Sequence, residues 1–280
     1  MKTRLLSYLA CAFVLGNGPS LVADQPATVT VAVNAVHHGS SESSITTPAP
    51  KGTSVHDGEF LETGALSRAE LQLPSTSVTR LGANTVFNYS VESNTVDLQA
   101  GTILFCKPKE AERLNIKTAA VTAGIVGTTG FVSVQGEGRL RTYTLGIIEG
   151  HAIAHADDHP FLLGPGDALE FRPGAKPFIF AYDVPRLVKS SPLLTKFKGR
   201  LPNQSYIDKA VVDYQNNVSR GFIQTPSHAI SYSGDIPIFS TAAYDSAQNA
   251  QGLPKGSPEP PSQPSQTYTG NGGPYTTGTH

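Results

Sequence analysis

The chain has 280 residues and a formal net charge of −1, and only 15% of its residues are Asp, Glu, Lys or Arg, below the roughly one quarter usual for soluble globular domains. No cluster of Lys and Arg interleaves with aromatics, and this excludes a nucleic-acid-binding reading, because neutralising phosphates needs concentrated positive charge. Gly, Pro, Ser and Thr take the place of charge, which favours short strands and many turns.

In chain order, Lys2 and Arg4 come first, then an apolar run from Leu5 to Leu15, then Gly16-Asn17-Gly18-Pro19, then Leu21-Val22-Ala23 before Asp24. Charge, apolar run and small residue, in that order, describe a secretory signal peptide cleaved after Ala23. The run is far shorter than the roughly 20 residues a membrane helix needs. The expectation is a periplasmic or secreted mature chain with no transmembrane segment. Lipidation at Cys11 is the alternative, but Tyr8-Leu9-Ala10 is a poor recognition box for it. After cleavage Cys106 is the only cysteine, so no disulfide forms within the mature chain. A single thiol in a strand pattern reads as a small buried hydrophobe.

Thr28 to Val33 alternates β-branched residues and reads as a strand. Residues 37–52, rich in His, Gly, Ser, Thr and Pro, read as a loop or flexible insertion. From 53 to 183, strand-like runs recur every 8 to 12 residues between Gly and Asn turns. They include Ala69–Leu73, Val86–Val91, Thr95–Leu98, Ile103–Cys106, Ala119–Ala123, Phe131–Val134, Leu140–Leu145, Ala152–His155, Ala168–Phe171 and Pro177–Ala181. This spacing points to a sandwich, barrel or solenoid.

An internal echo favours the solenoid. Leu81-Gly82-Ala83-Asn84-Thr85-Val86-Phe87 resembles Val126-Gly127-Thr128-Thr129-Gly130-Phe131, and each leads to a Gly-terminated turn, Gln99-Ala100-Gly101 and Ile148-Glu149-Gly150. A third such turn, Gly164-Pro165-Gly166-Asp167, follows. Repeats of this kind indicate stacked β units.

After Pro185, apolar spacing predicts two short helices, over Leu187–Lys198 and Ser205–Asn217, the second capped by Asn203 or Ser205. From Gln224 onward the composition predicts a disordered tail, since so little apolar area cannot offset the ordering entropy. The expected organisation is a signal peptide at 1–23, a β-domain at 24–184, a helical extension at 185–222 and a Pro/Gly/Ser/Thr-rich disordered tail at 223–280.

Several short motifs occur in order. Asp57-Gly58-Glu59-Phe60-Leu61-Glu62-Thr63-Gly64 is followed by Ser67-Arg68-Ala69-Glu70-Leu71, and then by Thr79-Arg80-Leu81-Gly82-Ala83-Asn84-Thr85. Leu98-Gln99-Ala100-Gly101, Ile116-Lys117-Thr118 with Val126-Gly127-Thr128, Ile148-Glu149-Gly150 and Leu163-Gly164-Pro165-Gly166-Asp167 come after them. This series resembles the FecR domain over roughly residues 28–172. The resemblance implies an all-β, solenoid-like or sandwich-like fold and no catalytic residues. In the family's regulators the domain is periplasmic, lies behind an anti-sigma segment and a membrane helix, and receives a signal from an outer-membrane transporter. This sequence departs from that plan, and direct sigma-factor control is not expected. Gly58, Gly64, Gly82, Gly101, Gly150 and Gly166 read as structural turn residues. Arg68 and Glu70 share a strand face, from which they can pair with neighbouring strands; such surface pairs, worth about 0–1 kcal/mol, read as setting register and not as function.

The chain contains no nucleophile elbow, P-loop, HExxH helix or paired-Cys zinc site. One cluster has metal-compatible chemistry: His151, His155, Asp157, Asp158 and His159, with His151 and His155 on one face of a strand. Its spacing does not follow the cupin pattern, and a polar strand end running into a solvated turn is the plainer reading. No cofactor is expected. The leading expectation is a non-catalytic exported FecR-like protein that binds an envelope protein or polymer. The alternatives are a structural surface component without a specific ligand and a cupin-like metal enzyme using His151, His155 and His159.

Overall fold

The computed structural model describes residues 25–223 and 228–241. The expected signal peptide and residues 242–280 of the expected tail lie outside the described residues.

Fifteen strands form one continuous hydrogen-bonded sheet. They are β1 (Ala27–Val33), β2 (Val36–Gly39), β3 (Thr47–Pro48), β4 (Ser54–Val55), β5 (Phe60–Thr63), β6 (Arg68–Gln72), β7 (Val78–Leu81) and β8 (Thr85–Ser90), then β9 (Thr95–Lys107), β10 (Leu114–Lys117), β11 (Val121–Gln135), β12 (Thr142–Ala156), β13 (His159–Leu163), β14 (Asp167–Phe171) and β15 (Phe178–Ala181). The pairing is antiparallel except between β9 and β10. This is not the pairing of a parallel solenoid, which needs parallel neighbours throughout; of the expected solenoid-like and sandwich-like forms the sheet takes the second.

The sheet closes over itself into two layers. One runs β4-β1-β6-β7-β9-β11-β12-β14-β15, and the other β3-β2-β5-β8-β9-β10-β11-β12-β13. Strands β9, β11 and β12 belong to both. The first half of β9 pairs with β8 and β10, and its second half with β7 and β11. Likewise β12 pairs with β14 before Gly150 and with β13 after it.

Gly101 and Gly150 make this exchange possible, and here the structure corrects the sequence reading. They are not in turns; they sit inside strands of 13 and 15 residues. Each has a positive φ, +87° and +79°, which glycine alone adopts without strain. A Cβ on Gly150 would lie 2.5 Å from the carbonyl oxygen of Gly127. Each bend inserts a residue, and so the alternation changes parity. Inward residues of β9 are Val96 and Leu98 before the bend, and Ile103 and Phe105 after it. In β12 they are Tyr143, Leu145 and Ile147 before, and Ala152, Ala154 and Ala156 after. These side chains meet in one core between the layers.

The sequence echo corresponds to these corners. The Thr85 hydroxyl accepts from the Thr102 amide at 3.0 Å, beside Gly101, and the Thr128 hydroxyl donates to the His151 carbonyl at 2.7 Å, beside Gly150. A threonine ties each bend to the strand next to it.

Residues 37–52 are not a loop insertion. They contain β2, a 3-10 turn at Glu42–Ser44 and β3, and Val36 and Ala49 are buried. Their polar content is satisfied locally, for example by the Ser41 amide donating to Ser44 Oγ at 3.0 Å.

The outer face of the first layer carries Val78, Leu104, Cys106, Phe131, Ile148 and Ala168, a second apolar cluster. Three helices cover it: α1 (Val184–Ser190), α2 (Pro192–Thr195) and α3 (Gln204–Ser219). Asp183 caps α1 by accepting from the Arg186 amide at 2.9 Å. The first expected helix is split because Ser191, preceding Pro192, is held in extended geometry. In α3, Ile207, Val211, Tyr214 and Val218 form the stripe that packs down.

A hairpin, β16 (His228–Ser233) and β17 (Ile236–Thr241), adds to this cover within the segment expected to be disordered. Its two-residue turn is Gly234-Asp235, with Gly234 at φ +61°, the glycine-first arrangement of tight hairpins.

Candidate functional site

The motif strands β6 and β7 bring their charged side chains to the covered face of the first layer, so their ion pairs are largely buried and not on the surface. Arg68 and Glu70 share a face and pair with neighbouring elements, as expected. The Arg68 guanidinium donates to Asp235 Oδ1 in the hairpin, Nη2 at 2.6 Å and Nε at 3.1 Å. Glu70 receives the Arg80 Nε–H at 2.8 Å. Arg80 is 1% exposed. It also donates to the carbonyls of Leu193 at 3.0 Å and Gly199 at 2.6 Å, and lies 4.5 Å from the centre of the Phe197 ring. One motif arginine thus holds α2 and the segment after it against the sheet. A guanidinium is charged wherever it sits, so burying it is costly unless several such acceptors replace its water.

A second polar group sits under the start of α3. Glu149 Oε1 accepts from the Thr129 hydroxyl at 2.8 Å and from Asn203 Nδ2 at 2.7 Å. Asn203 is the N-cap residue of α3, as expected, but its side chain does not cap the helix. It reaches into the sheet, where it also donates to the Lys107 carbonyl at 2.9 Å. Burial pushes the Glu149 carboxyl above its ordinary pKa, against the donors that favour its charged form. Cys106 adjoins this group, its Sγ 3.4 Å from the Thr129 hydroxyl oxygen. Burial raises its thiol pKa as well, so Cys106 sits as an inert core residue and not as a nucleophile.

The other glycines of the sequence reading have separate places. Gly58 and Gly166 lie in turns with φ +73° and +89°. Gly64 and Gly82 are not at positive φ, and they are selected by close approach. A Cβ on Gly64 would lie 3.2 Å from the Ala35 Cβ, and one on Gly82 would lie 2.7 Å from the Asp235 Cβ.

The second layer has an uncovered outer face. One row of paired residues crosses it from Gly39 through Phe60, Asn88, Asp97, Lys117, Thr122 and His155 to Pro160. A neighbouring row runs Thr95, Asn115, Gly124, Ile153 and Leu162. At the β11–β13 end three apolar side chains are strongly exposed: Val126 at 60%, Ile153 at 52% and Leu162 at 70%. The Arg113 guanidinium lies over Gly124, filling the space a side chain would take. An open depression of about 250 Å³ beside it is lined by Thr95, Asn115, Lys117, Thr122 and His155.

This face holds the residues with metal-compatible chemistry. His151 and His155 flank Ile153 on β12 and are exposed. Four residues of strand place them about 13 Å apart along the backbone, whereas one zinc ion holds each ligand at about 2 Å. Asp157 and Asp158 form the two-residue turn to β13, with φ +50° and +59°, and His159 Nδ1 is bonded to the Asp157 carbonyl. Among the described residues no three His, Cys, Asp or Glu side chains converge as a metal site.

Sequence reasoning missed Asp235, the inward turn of Asn203 and the burial of Glu149. A signal for Asp235 was present: Gly-Asp between the alternating pairs Ile230/Tyr232 and Ile236/Ile238 is a hairpin pattern. The Pro, Gly and Ser around it outweighed that signal.

Residues 59–152 match the family model described as FecR protein, which spans β5 to the second half of β12. Two crystal structures, at 1.65 and 2.50 Å, of a protein from Parabacteroides distasonis ATCC 8503 provisionally described as an anti-sigma factor are similar at 12% identity and a TM-score of 0.39. Each likeness covers 65% of this chain, and 99% and 98% of the respective neighbour. No curated protein matches the sequence. No described helix is long and apolar enough to cross a membrane.

Proposed function

We propose that this chain, whose residues 59–152 form a FecR domain, is a non-catalytic exported module that binds a protein or polymer of the cell envelope. The observation that carries this reading is the asymmetry of the sandwich. Its first layer is sealed by helices and a hairpin, while the second leaves a broad strand face open, with Ile153 and Leu162 exposed opposite each other and Val126 exposed on the adjoining strand, diagonal to Ile153. Contiguous apolar exposure of this kind marks interaction surfaces. The mixed polar rows beside it provide hydrogen-bonding groups for a peptide or a glycan. Export rests on the charged, apolar and small-residue order of residues 1–23.

The test is affinity capture from the source envelope with the mature chain and with an Ile153→Asp, Leu162→Asp variant of equal thermal stability. Enrichment of one component by the parent chain, lost in the variant, supports the reading. Equal capture by both chains, or none, refutes a ligand on this face and favours the structural-component alternative. Stoichiometric metal in the purified protein, lost on His151→Ala with His155→Ala, would move the reading to the enzyme alternative. Export is checked by sequencing the N-terminus of the mature protein, expected to begin at Asp24, with an uncut cytoplasmic chain as the refuting result.

A further inference from the structure

We propose that Arg68, Gly82 and Ala83 form a socket for an aspartate at the tip of a β-turn, filled in this chain by its own Asp235 and available to a partner protein's acidic turn when the hairpin lifts away.

The socket is built for a carboxylate. Asp235 is 1% exposed, and both of its oxygens are engaged. Oδ1 accepts from the Arg68 guanidinium, and Oδ2 accepts from the Ala83 amide at 2.9 Å. One charged donor and one backbone donor, each serving a different oxygen, select a planar carboxylate over a neutral amide. Gly82 supplies the shape, since any larger residue would meet the Asp235 Cβ. The Gly82 amide is already used, donating to the Thr102 carbonyl at 2.8 Å, so the strand beneath the socket is fixed independently of its occupant.

The occupant is a separable unit. β16 and β17 pair with each other and form a sheet apart from the fifteen-stranded one. An isolated two-stranded hairpin is marginal in water, so this one depends on its docking contacts. Beyond Asp235, these centre on Phe239, whose ring lies 5.9 Å from Phe131, 5.1 Å from Phe180 and 5.6 Å from Tyr182. Tyr232 OH and Ser190 Oγ are hydrogen-bonded at 2.9 Å. Such a unit opens locally at a lower cost than the sheet beneath it. Opening uncovers a basic, narrow socket next to an aromatic floor. Its complement is a tight turn with an aspartate at the tip and an aromatic residue a few positions further on. A glycan has no carboxylate-bearing turn of this shape. The Arg68 side chain, 22% exposed, remains at the rim where an incoming carboxylate first meets charge.

This site lies on the opposite layer from the open face of the preceding section, so the two readings fail independently. The probe is a labelled synthetic peptide of this chain's residues 228–241, with either Asp or Asn at 235, titrated into full-length protein by fluorescence anisotropy. The Asp235→Asn chain is expected to bind the Asp peptide at least about tenfold more tightly than the parent chain does, because its own hairpin is a weaker competitor. It should also prefer the Asp peptide to the Asn peptide by at least about tenfold, the scale for losing a charged hydrogen-bonded group. Adding Gly82→Ala should abolish binding. Indifference to Asp versus Asn, or binding unaffected by Gly82→Ala, overturns the proposal. Should Asp235→Asn destabilise the chain, hydrogen exchange on the parent protein decides. Amides of 228–241 must exchange at least about tenfold faster than those of β9 and β11, and equal protection refutes a separable hairpin.

Discussion

Replacing Arg80 by Ala tests whether the motif arginine holds the helical cover on the sheet. The guanidinium makes three hydrogen bonds, to Glu70 and to the carbonyls of Leu193 and Gly199, and stacks beside Phe197. Its loss leaves the Glu70 carboxylate with the Thr30 hydroxyl as its remaining side-chain donor, at 2.8 Å, and leaves two buried carbonyls without this partner. Breaking a buried charge pair by removing one member costs about 3–5 kcal/mol. Here the pair is rimmed by water on the Glu70 side, whose side chain is 14% exposed, which places the expected loss near the lower end, about 3 kcal/mol. At about 2–4 °C per kcal/mol for a domain of this size, the melting temperature should fall by roughly 6–12 °C. Urea unfolding with linear extrapolation gives the stability directly, and an unchanged m-value shows that the same surface still unfolds. Arg80→Lys should fall between, because an ammonium cannot span the three acceptors as the planar fork does. A loss below about 1 kcal/mol for Arg80→Ala would refute the reasoning, since it would put this arginine in the class of surface ion pairs.

Glu149 gives a pH dependence whose sign follows from burial. Its folded pKa is raised above the ordinary 4.5, so the folded state holds the proton more tightly and stability falls as pH rises through the raised value. Glu149→Gln, which keeps an acceptor for Thr129 and Asn203, should flatten that decline above pH 4.5 in urea midpoints; an unchanged slope would show that the carboxyl stays ionised throughout. Gly150→Ala forces a side chain into positive φ and against the Gly127 carbonyl, and should cost about 2–4 kcal/mol by combining strain and overpacking; a loss below about 1 kcal/mol would mean that the bend relaxes freely. Cys106 is fully buried with a raised thiol pKa. It should resist a thiol reagent in the native protein and react at once in denaturant, and rapid native labelling would contradict its placement.

The strand runs were legible because alternation survives in any half-buried sheet: Ala69–Leu73, Val86–Val91 and Ala168–Phe171 all fall on observed strands. Their continuity was not. Thr95–Leu98 and Ile103–Cys106 read as two strands because the inserted residue at Gly101 shifts the alternation, and a shift of parity looks like a turn when only the sequence is seen. The same shift divided β12 at Gly150. The motif glycines were found, but a turn reading fits only some of them: Gly82 is there for the Asp235 side chain, whose carboxylate takes the Ala83 amide across 152 residues of sequence separation. That pairing is tertiary, and so are the inward turn of Asn203 and the burial of Arg80. Local pattern carries no trace of a partner that only folding brings near. The open face was half visible, since His151 and His155 could be assigned to one side of a strand; their exposure, and that of Ile153 between them, could not.

Because β9, β11 and β12 each run through both layers, neither layer can be finished before the other has begun. The strand halves that close the second layer reach their neighbours only after the same strands have turned the corner at Gly101 and Gly150. Assembly therefore depends on contacts distant in sequence, such as β6 against β1 and β12 against β14, and such topologies fold slowly. A chain of this design would spend its early life with incomplete edges, in the interval when a chaperone has most to offer it.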